Sequence, residues 1–410
     1  MHKHWVWLTT RKGVGTRGRA ALLELYGTAE RIYELKENDY VHTEGFDRRW
    51  LESLLDKSLD EAEEILRDCD NEEIDLLTYA DEGYPKRLKH ISDPPALLYY
   101  KGTLPDFDNE AVIAVVGSRR CSAYGLMYAK QFGRQIANSG GIVVSGGARG
   151  IDTMALKGAL DSSMPVVAVM GCGLDIDYPR ENHFLFQKII QHGCILSEYP
   201  PKTEPERGHF PVRNRILSGL SLGVLVVEAP EKSGALITAD LALQQGRDVF
   251  AIPGNIGVKH CAGSNRLIRE GAYMVEDGWE VLREYAYLFP VKLSDGRSRE
   301  AMERIFRSRY GMSLPVYSPV TFSDDGDKKV VDNPAGKTYS DESDEKRTVP
   351  AAPLAGDEQT VYALLTDQPI HCDELTAKSG LPSRSVTAAL TMLQIKGRAV
   401  KLAGNYYKRN

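Results

Sequence analysis

The sequence predicts an α/β protein built on a Rossmann-like, doubly wound, mostly parallel sheet, with a small helical module before it and a winged-helix-like module after it. Six apolar runs rich in β-branched residues carry that prediction: "AVIAVVG" (111–117), "GIVVSGG" (141–147), "PVVAVMG" (165–171), "CILSEY" (194–199), "GVLVVEA" (223–229) and "DVFAIPG" (248–254). Their hydrophobicity is continuous rather than alternating, which requires strands covered on both faces. Each run is followed by a stretch of helical periodicity, so the crossovers can supply that cover. No segment repeats at a fixed period, which excludes solenoids and propellers.

Taken in chain order, residues 1–70 read as short helices, with apolar spacing in "GRAALLELYG" around Ala20–Tyr26 and in "LDEAEEILRDC" from Leu59 to Cys69. Within them, "KGVGTRGRAALLELYG" (Lys12–Gly27) resembles a SAM-like or helix-hairpin-helix unit. Its Gly-x-Gly turn can bring backbone amides to a phosphate, or can simply pack two helices. The sheet-bearing region is expected over 76–288. From 290 to 355 the chain turns polar and acidic without periodicity, as in "SDDGDKKVVDNPAGKTYSDESDEKR", and is expected to be a disordered linker. Residues 356–410 give three helical segments and two short strand-like pieces about a Gly-Asn turn, the order of a winged helix.

A chain of 410 residues with a net charge of −6 is a poor candidate for coating nucleic acid by bulk attraction. A phosphate-bearing partner must therefore be met by a local basic pocket. The six cysteines (69, 121, 172, 194, 261, 372) form no CxxC pair, which argues against a zinc site and a disulfide framework and suits a reducing cytoplasm. The N-terminus lacks the apolar core of a signal peptide, and no apolar run approaches membrane-spanning length.

Ligands of a doubly wound sheet sit beyond the carboxyl ends of its strands, and the unusual residues of this sequence fall there. After the first run, Gly117 permits a tight turn, Ser118 offers a hydroxyl, and Arg119 and Arg120 bring guanidinium forks to a helix start. After the second, Gly146, Gly147 and Gly150 open the backbone while Arg149 adds charge. Asp175 and Asp177 could meet a ribose or cap turns, with capping the stronger reading. Next comes Arg207, His209, Phe210, Arg213 and Arg215, a basic cluster around an aromatic residue. Such a cluster grips single-stranded nucleic acid by stacking a base and taking its phosphates, although an aromatic there can also belong to the core. Ser233, Gly234 and Thr238 open a further helix, either as phosphate donors or with Ser233 as an ordinary cap.

In combination, "VVGSRRCSAYG", "SGGARGIDTMALKGAL", "GCGLDIDYPREN", "SEYPP", "HFPVRNRILSGLS", "VVEAPEKSGALITADLALQQGRDVFAIPG" and "GSNRLIREGA" resemble the DprA/Smf family of DNA-processing proteins, in order, over about Leu76 to Val281. That resemblance implies a single-stranded DNA-binding protein that protects incoming strands and loads a RecA-type recombinase onto them in natural transformation. It also implies a cytoplasmic homodimer formed through the Rossmann-like domain, with no cofactor and no metal. Carried over residue by residue, the DNA pocket would use Gly117, Ser118 and Arg119, then Gly146, Gly147 and Arg149, then Phe210 and Arg213. Arg207 stands where the family often has lysine, and Leu156 where it commonly has histidine; the acidic linker is a further departure.

Enzymatic alternatives rest on little. The sequence holds no HExxH, GxSxG or Walker loop. Glu198 and Glu228 end two of the apolar runs and could in principle perform glycosidic chemistry, as in a LOG-type nucleotide phosphoribohydrolase. Residues 228–238, "EAPEKSGALIT", lack the PGGxGTxxE pattern of that class. A nucleotide-sensing module signalling through the winged helix is the other alternative. The expectation is a binder and not an enzyme. In the winged helix itself, the recognition segment Ser383–Lys396 offers only Arg384 and Lys396 as basic residues, too few to favour a groove reader.

Overall fold

The computed structural model describes residues 2–43, 46–294, 356–396, 398–402 and 405–410. The expected linker falls outside the described residues from 295 to 355. The chain divides into two compact units, one holding the described residues up to Ser294 together with Asn405, and the other holding the rest of the described residues from Gly356 onward.

Among the described residues six α-helices open the first unit: α1 (Lys3–Thr10), α2 (Thr16–Tyr26), α3 (Ala29–Glu34), α4 (Glu37–Val41), α5 (Leu51–Leu55) and α6 (Asp60–Asn71). The turn from α1 to α2 buries Val14 and carries Gly13 at φ 81°. Nine strands follow: β1 (Asp75–Thr78), β2 (Leu97–Gly102), β3 (Val112–Val116), β4 (Ile142–Ser145), β5 (Val166–Met170), β6 (Gly193–Ser197), β7 (Gly223–Val226), β8 (Asp248–Ala251) and β9 (Tyr273–Met274). Between them lie α7 (Lys86–Lys89), α8 (Ala123–Asn138), α9 (Ile151–Ala159), α10 (His183–His192), α11 (His209–Leu220), α12 (Gly234–Gln244) and α13 (Ala262–Arg269), with α14 (Gly278–Leu282) after β9.

Among the described residues the strands form one sheet in the order β1-β2-β6-β5-β4-β3-β7-β8-β9. The six runs read from sequence are β3 to β8, all parallel; β1 and β2 extend the sheet antiparallel beside β6, and the two-residue β9 adds a parallel edge. The central strands β3 to β7 are buried on both sides, and alternate residues enter two cores. Ile113 and Val115 pack with α8, α9 and the N-terminal helices, including Trp5 to Leu8. Val112, Ala114 and Val116 pack with α11 and α12 on the other face. Each fully buried Val, Ile or Leu contributes on the order of 1.5–3 kcal/mol, so the central strands fix the sheet and hence the positions of its loops. Leu156, on α9, is fully buried in the first core, which accounts for an apolar residue there.

The chain steps outward from β3 through β4, β5 and β6, then returns to the opposite side of β3 as β7. The loops after β3 and β7 therefore diverge at a topological switch point, where a doubly wound sheet leaves a crevice.

The second unit has helices Asp357–Leu364, Cys372–Ser379 and Ser383–Ile395 and a three-stranded sheet in the order β10 (Ile370–His371), β12 (Tyr406–Arg409), β11 (Ala399–Leu402). The two-residue β10 is too short to carry an alternating signal in sequence. Lys396, one of the two basic residues of the recognition segment, pairs with Glu358 at 2.5 Å.

Candidate nucleic-acid interface

A cavity of about 680 Å3 opens at the switch point. The β3–α8 loop enters it with Gly117, Ser118, Arg119 and Arg120, and the start of α11 enters it with Arg207, Phe210 and Arg213. The loop after β7 adds Lys232, Ser233 and Gly234, and the turn after β8 adds Lys259 and His260.

The β3–α8 turn is held from within. The Ser118 amide donates to the Glu228 carbonyl at 2.8 Å, the Arg120 amide donates to Ser118 Oγ at 3.1 Å, and that hydroxyl donates to the Arg120 carbonyl at 3.0 Å. Ser118 is buried and shapes the turn, leaving Arg119 and Arg120 exposed at its tip. Gly117 lies against α9, where an added Cβ would stand 2.5 Å from the Ile151 side chain. Gly150 enters α9 at φ 79°, and a Cβ there would stand 2.5 Å from the Ser118 carbonyl oxygen. Glycine thus lets the second loop press against the first.

Phe210 is half-buried. Its ring packs on Gly171 at the end of β5 and lies 5.5 Å from the Tyr178 ring. The Arg119 guanidinium stands over it at 4.7 Å from the centroid, a cation–π contact that ties the two predicted residues to one spot. Arg207 is exposed beside them, one turn before.

Arg213 has a different job from the one the basic cluster suggested. It is 3% exposed and donates to the carbonyls of Val169 and Gly146, the latter at 2.9 Å, so it ties α11 to β5 and the β4–α9 loop. Its charge faces Asp152: burial pushes that carboxyl up to about 6 against the pull of the Arg213 guanidinium. Burial likewise brings Arg213 down to about 10, opposed by Asp152. Gly146 sits between them, since a Cβ would fall 2.6 Å from Arg213 Nη2 and 2.7 Å from Asp152 Oδ2. Gly146, Gly147 and Arg149 are not among the residues that line the cavity. Gly147 faces Phe186, and Arg149 is an exposed side chain paired with Glu181, with a second contact at 3.0 Å. The Arg149 hydrogen bond holds the Glu181 carboxyl down at about 2.

The two carboxylates weighed for glycosidic chemistry are occupied. Glu198 accepts from Arg215 at 2.7 Å with both side chains buried. Glu228 is fully buried and accepts from the Ser122 amide at 3.0 Å and from Ser122 Oγ at 2.6 Å, at the start of α8. Asp175 accepts from the Lys202 amide at 2.9 Å and Asp177 contacts His183 at 2.7 Å, so both hold loops. Ser233 caps α12 by accepting from the Ala235 amide at 3.3 Å.

Charge is strongly one-sided here. Arg119, Arg120, Arg207, Lys232 and Lys259 line the cavity with no ion pair among the described residues. Among the described residues the one acidic lining side chain is Asp152, itself buried against Arg213. Phosphate is the natural complement of such a wall. Lys232, Lys259 and His260 are single residues in separate loops and carry no pattern in the sequence; the strand order brings them to the cavity.

Residues 75–286 match the family model described as DNA recombination-mediator protein A, and residues 345–405 match the DprA winged helix domain. Protein Smf of Synechocystis is 31% identical over 99% of this chain and 98% of its own length. DNA processing protein DprA of Streptococcus pneumoniae is 45% identical over 50% of this chain and 73% of its own length. The X-ray structure of DprA from Streptococcus pneumoniae superposes with a TM-score of 0.61 at 35% identity, covering 69% of this chain and 97% of that one.

Proposed function

We propose that this chain, which belongs to the DprA/Smf family of DNA-processing proteins, holds single-stranded DNA in the switch-point cavity and leaves its covalent bonds intact. One observation carries the reading: the Arg119 guanidinium stands over the half-buried ring of Phe210, and Arg120 and Arg207, with no ion pair among the described residues, line the same cavity. Cations take successive phosphates, and the aromatic ring takes a base without reading its identity. Duplex DNA keeps its bases stacked and cannot offer one to Phe210, so the site selects unpaired strands.

In this account Ser118 and Gly117 set the turn that carries Arg119, while Gly146, Gly147 and Arg213 brace the loop behind it. Arg149 contributes only after release from Glu181. The involvement of Glu198 and Glu228 in buried contacts favours a holder over a phosphoribohydrolase. The protein would work in the cytoplasm as a homodimer joined through the sheet-bearing unit, protecting incoming strands and passing them to a RecA-type recombinase. Among the described residues no helix is long and apolar enough to cross a membrane.

The test is a binding titration comparing single strand, duplex and mononucleotide, with the DNA recovered and sized afterwards. Preference for the single strand, recovered whole, is the expected result. Equal affinity for duplex, or a shortened or depurinated product, would defeat the proposal.

A further inference from the structure

The arginines and the aromatic residue read from sequence, Arg119, Arg207 and Phe210, line the cavity together with Ser233, Gly234 and Thr238. Further basic residues line it from two loops. Lys232 lies in the loop between β7 and α12, immediately before the helix cap Ser233, and Lys259 and His260 lie in the turn between β8 and α13. These loops are 27 residues apart in sequence and meet because β7 and β8 are adjacent parallel strands, in register from Gly223 with Asp248 to Val226 with Ala251. Both lysines are exposed, and neither has an ion pair among the described residues. Glu231, next to Lys232 in sequence, does not line the cavity. The His260 Nδ1 stands 3.6 Å from the fully buried Glu228 carboxylate.

A solvated surface lysine needs no explanation, but two lysines from separate loops lining one cavity with three arginines that have no ion pair among the described residues do. Like charges repel, and gathering them around a recess has a cost that an anionic ligand removes. One phosphate cannot reach every cation of a cavity of about 680 Å3. The nucleic-acid backbone supplies phosphates in series.

We infer that Lys232, Lys259 and His260 form a second phosphate subsite, so that the cavity holds two successive phosphates of one strand while a base is seated at Phe210. This rests on the proposed single-strand function and adds to it the minimum ligand: a strand longer than a mononucleotide. The first phosphate meets the Arg119 and Arg207 side, and the next meets the lysines.

The experiment compares wild type, the Lys232→Ala/Lys259→Ala double variant and Arg119→Ala against an oligothymidylate and thymidine monophosphate, over a series of salt concentrations. The double variant should lose affinity for the oligonucleotide by roughly tenfold at moderate salt. Its log Kd should also change less steeply with log salt, by about 0.7 for each phosphate contact removed. Its affinity for the mononucleotide should match that of wild type. Arg119→Ala should weaken both ligands. If the double variant binds the oligonucleotide with unchanged affinity and salt slope while Arg119→Ala fails, the second subsite is wrong and the single-strand function stands. If wild type itself prefers no single strand, both fall together. Lys232→Arg/Lys259→Arg, which keeps the charge, should restore binding; failure to do so would assign the loss to altered loop structure and overturn the inference.

Discussion

Replacing Phe210 by alanine removes the base platform and little else. The ring is half-buried, resting on Gly171 and near Tyr178, with Arg119 over it at 4.7 Å. A base stacked on an aromatic side chain is worth about 1–3 kcal/mol. At 1.4 kcal/mol per tenfold, the expected loss of affinity for an oligothymidylate is about 5- to 140-fold. The cation–π contact with Arg119, worth about 0.5–1 kcal/mol at an exposed site, is also lost, but it already exists in the free protein and its removal frees the guanidinium for phosphate. The loss should therefore fall short of the upper bound. The cost to the fold should be smaller than the roughly 3–5 kcal/mol of truncating a fully buried phenylalanine, because only part of the ring is covered. Fluorescence anisotropy with labelled oligonucleotide at fixed salt reads the affinity, and a thermal melt followed by circular dichroism reads the fold. Phe210→Tyr keeps the ring and should bind within about threefold of wild type. A folded Phe210→Ala protein with unchanged Kd, or a Phe210→Tyr protein as weak as the alanine variant, would refute the stacking argument.

Arg119→Ala with Arg207→Ala should reduce the salt dependence of single-strand binding by about 0.7 in log–log slope per lost contact; an unchanged slope removes these residues from the phosphate path. Arg149→Ala should cost less than Arg119→Ala in the same titration, because its guanidinium is engaged with Glu181. A chain ending before residue 356 should retain most single-strand binding, and loss of binding would move the site to the winged helix. Asp152 adds a pH test: its folded carboxyl titrates near 6 against an ordinary value of 3.8, so the folded chain binds that proton more tightly than the unfolded one. Its contribution to stability is full below pH 3.8 and is lost as pH rises through about 6. Urea unfolding of wild type and Asp152→Asn across this range should show the wild-type advantage shrinking with rising pH, and a constant difference would contradict the assignment.

The parallel strands were legible because burial on both faces leaves an uninterrupted apolar signature, as in β3 and β5, whose residues are all buried. The antiparallel extension was not: β1 reads "DLLT" with one flank exposed, and β2 runs "LLYYKG" into a polar end, so neither stands out from a helix or loop. The site loops were legible as arginines and glycines at strand ends, yet residue type alone did not separate ligand contact from scaffold. Arg207 and Arg213 flank Phe210 equally in sequence, three residues to either side, but one is exposed at the rim and the other is buried beneath it, donating to β5 and the β4–α9 loop. Arg149 looked free because its partner, Glu181, lies 32 residues on. Ser233 reads in sequence as either a phosphate donor or a helix cap and caps α12 in the structure, whereas its neighbour Lys232 gains meaning only when β7 is placed beside β3 and β8.

The most direct measurement is a parallel titration of the full chain with an end-labelled oligothymidylate, the matching duplex and thymidine monophosphate, each followed by denaturing electrophoresis or chromatography of the nucleic acid. The account predicts tightest binding to the unpaired strand, a clear gain in affinity from mononucleotide to oligonucleotide, and full-length DNA recovered. Saturation by the mononucleotide at the same concentration as the oligonucleotide, or a cleaved product that grows with time, would contradict it.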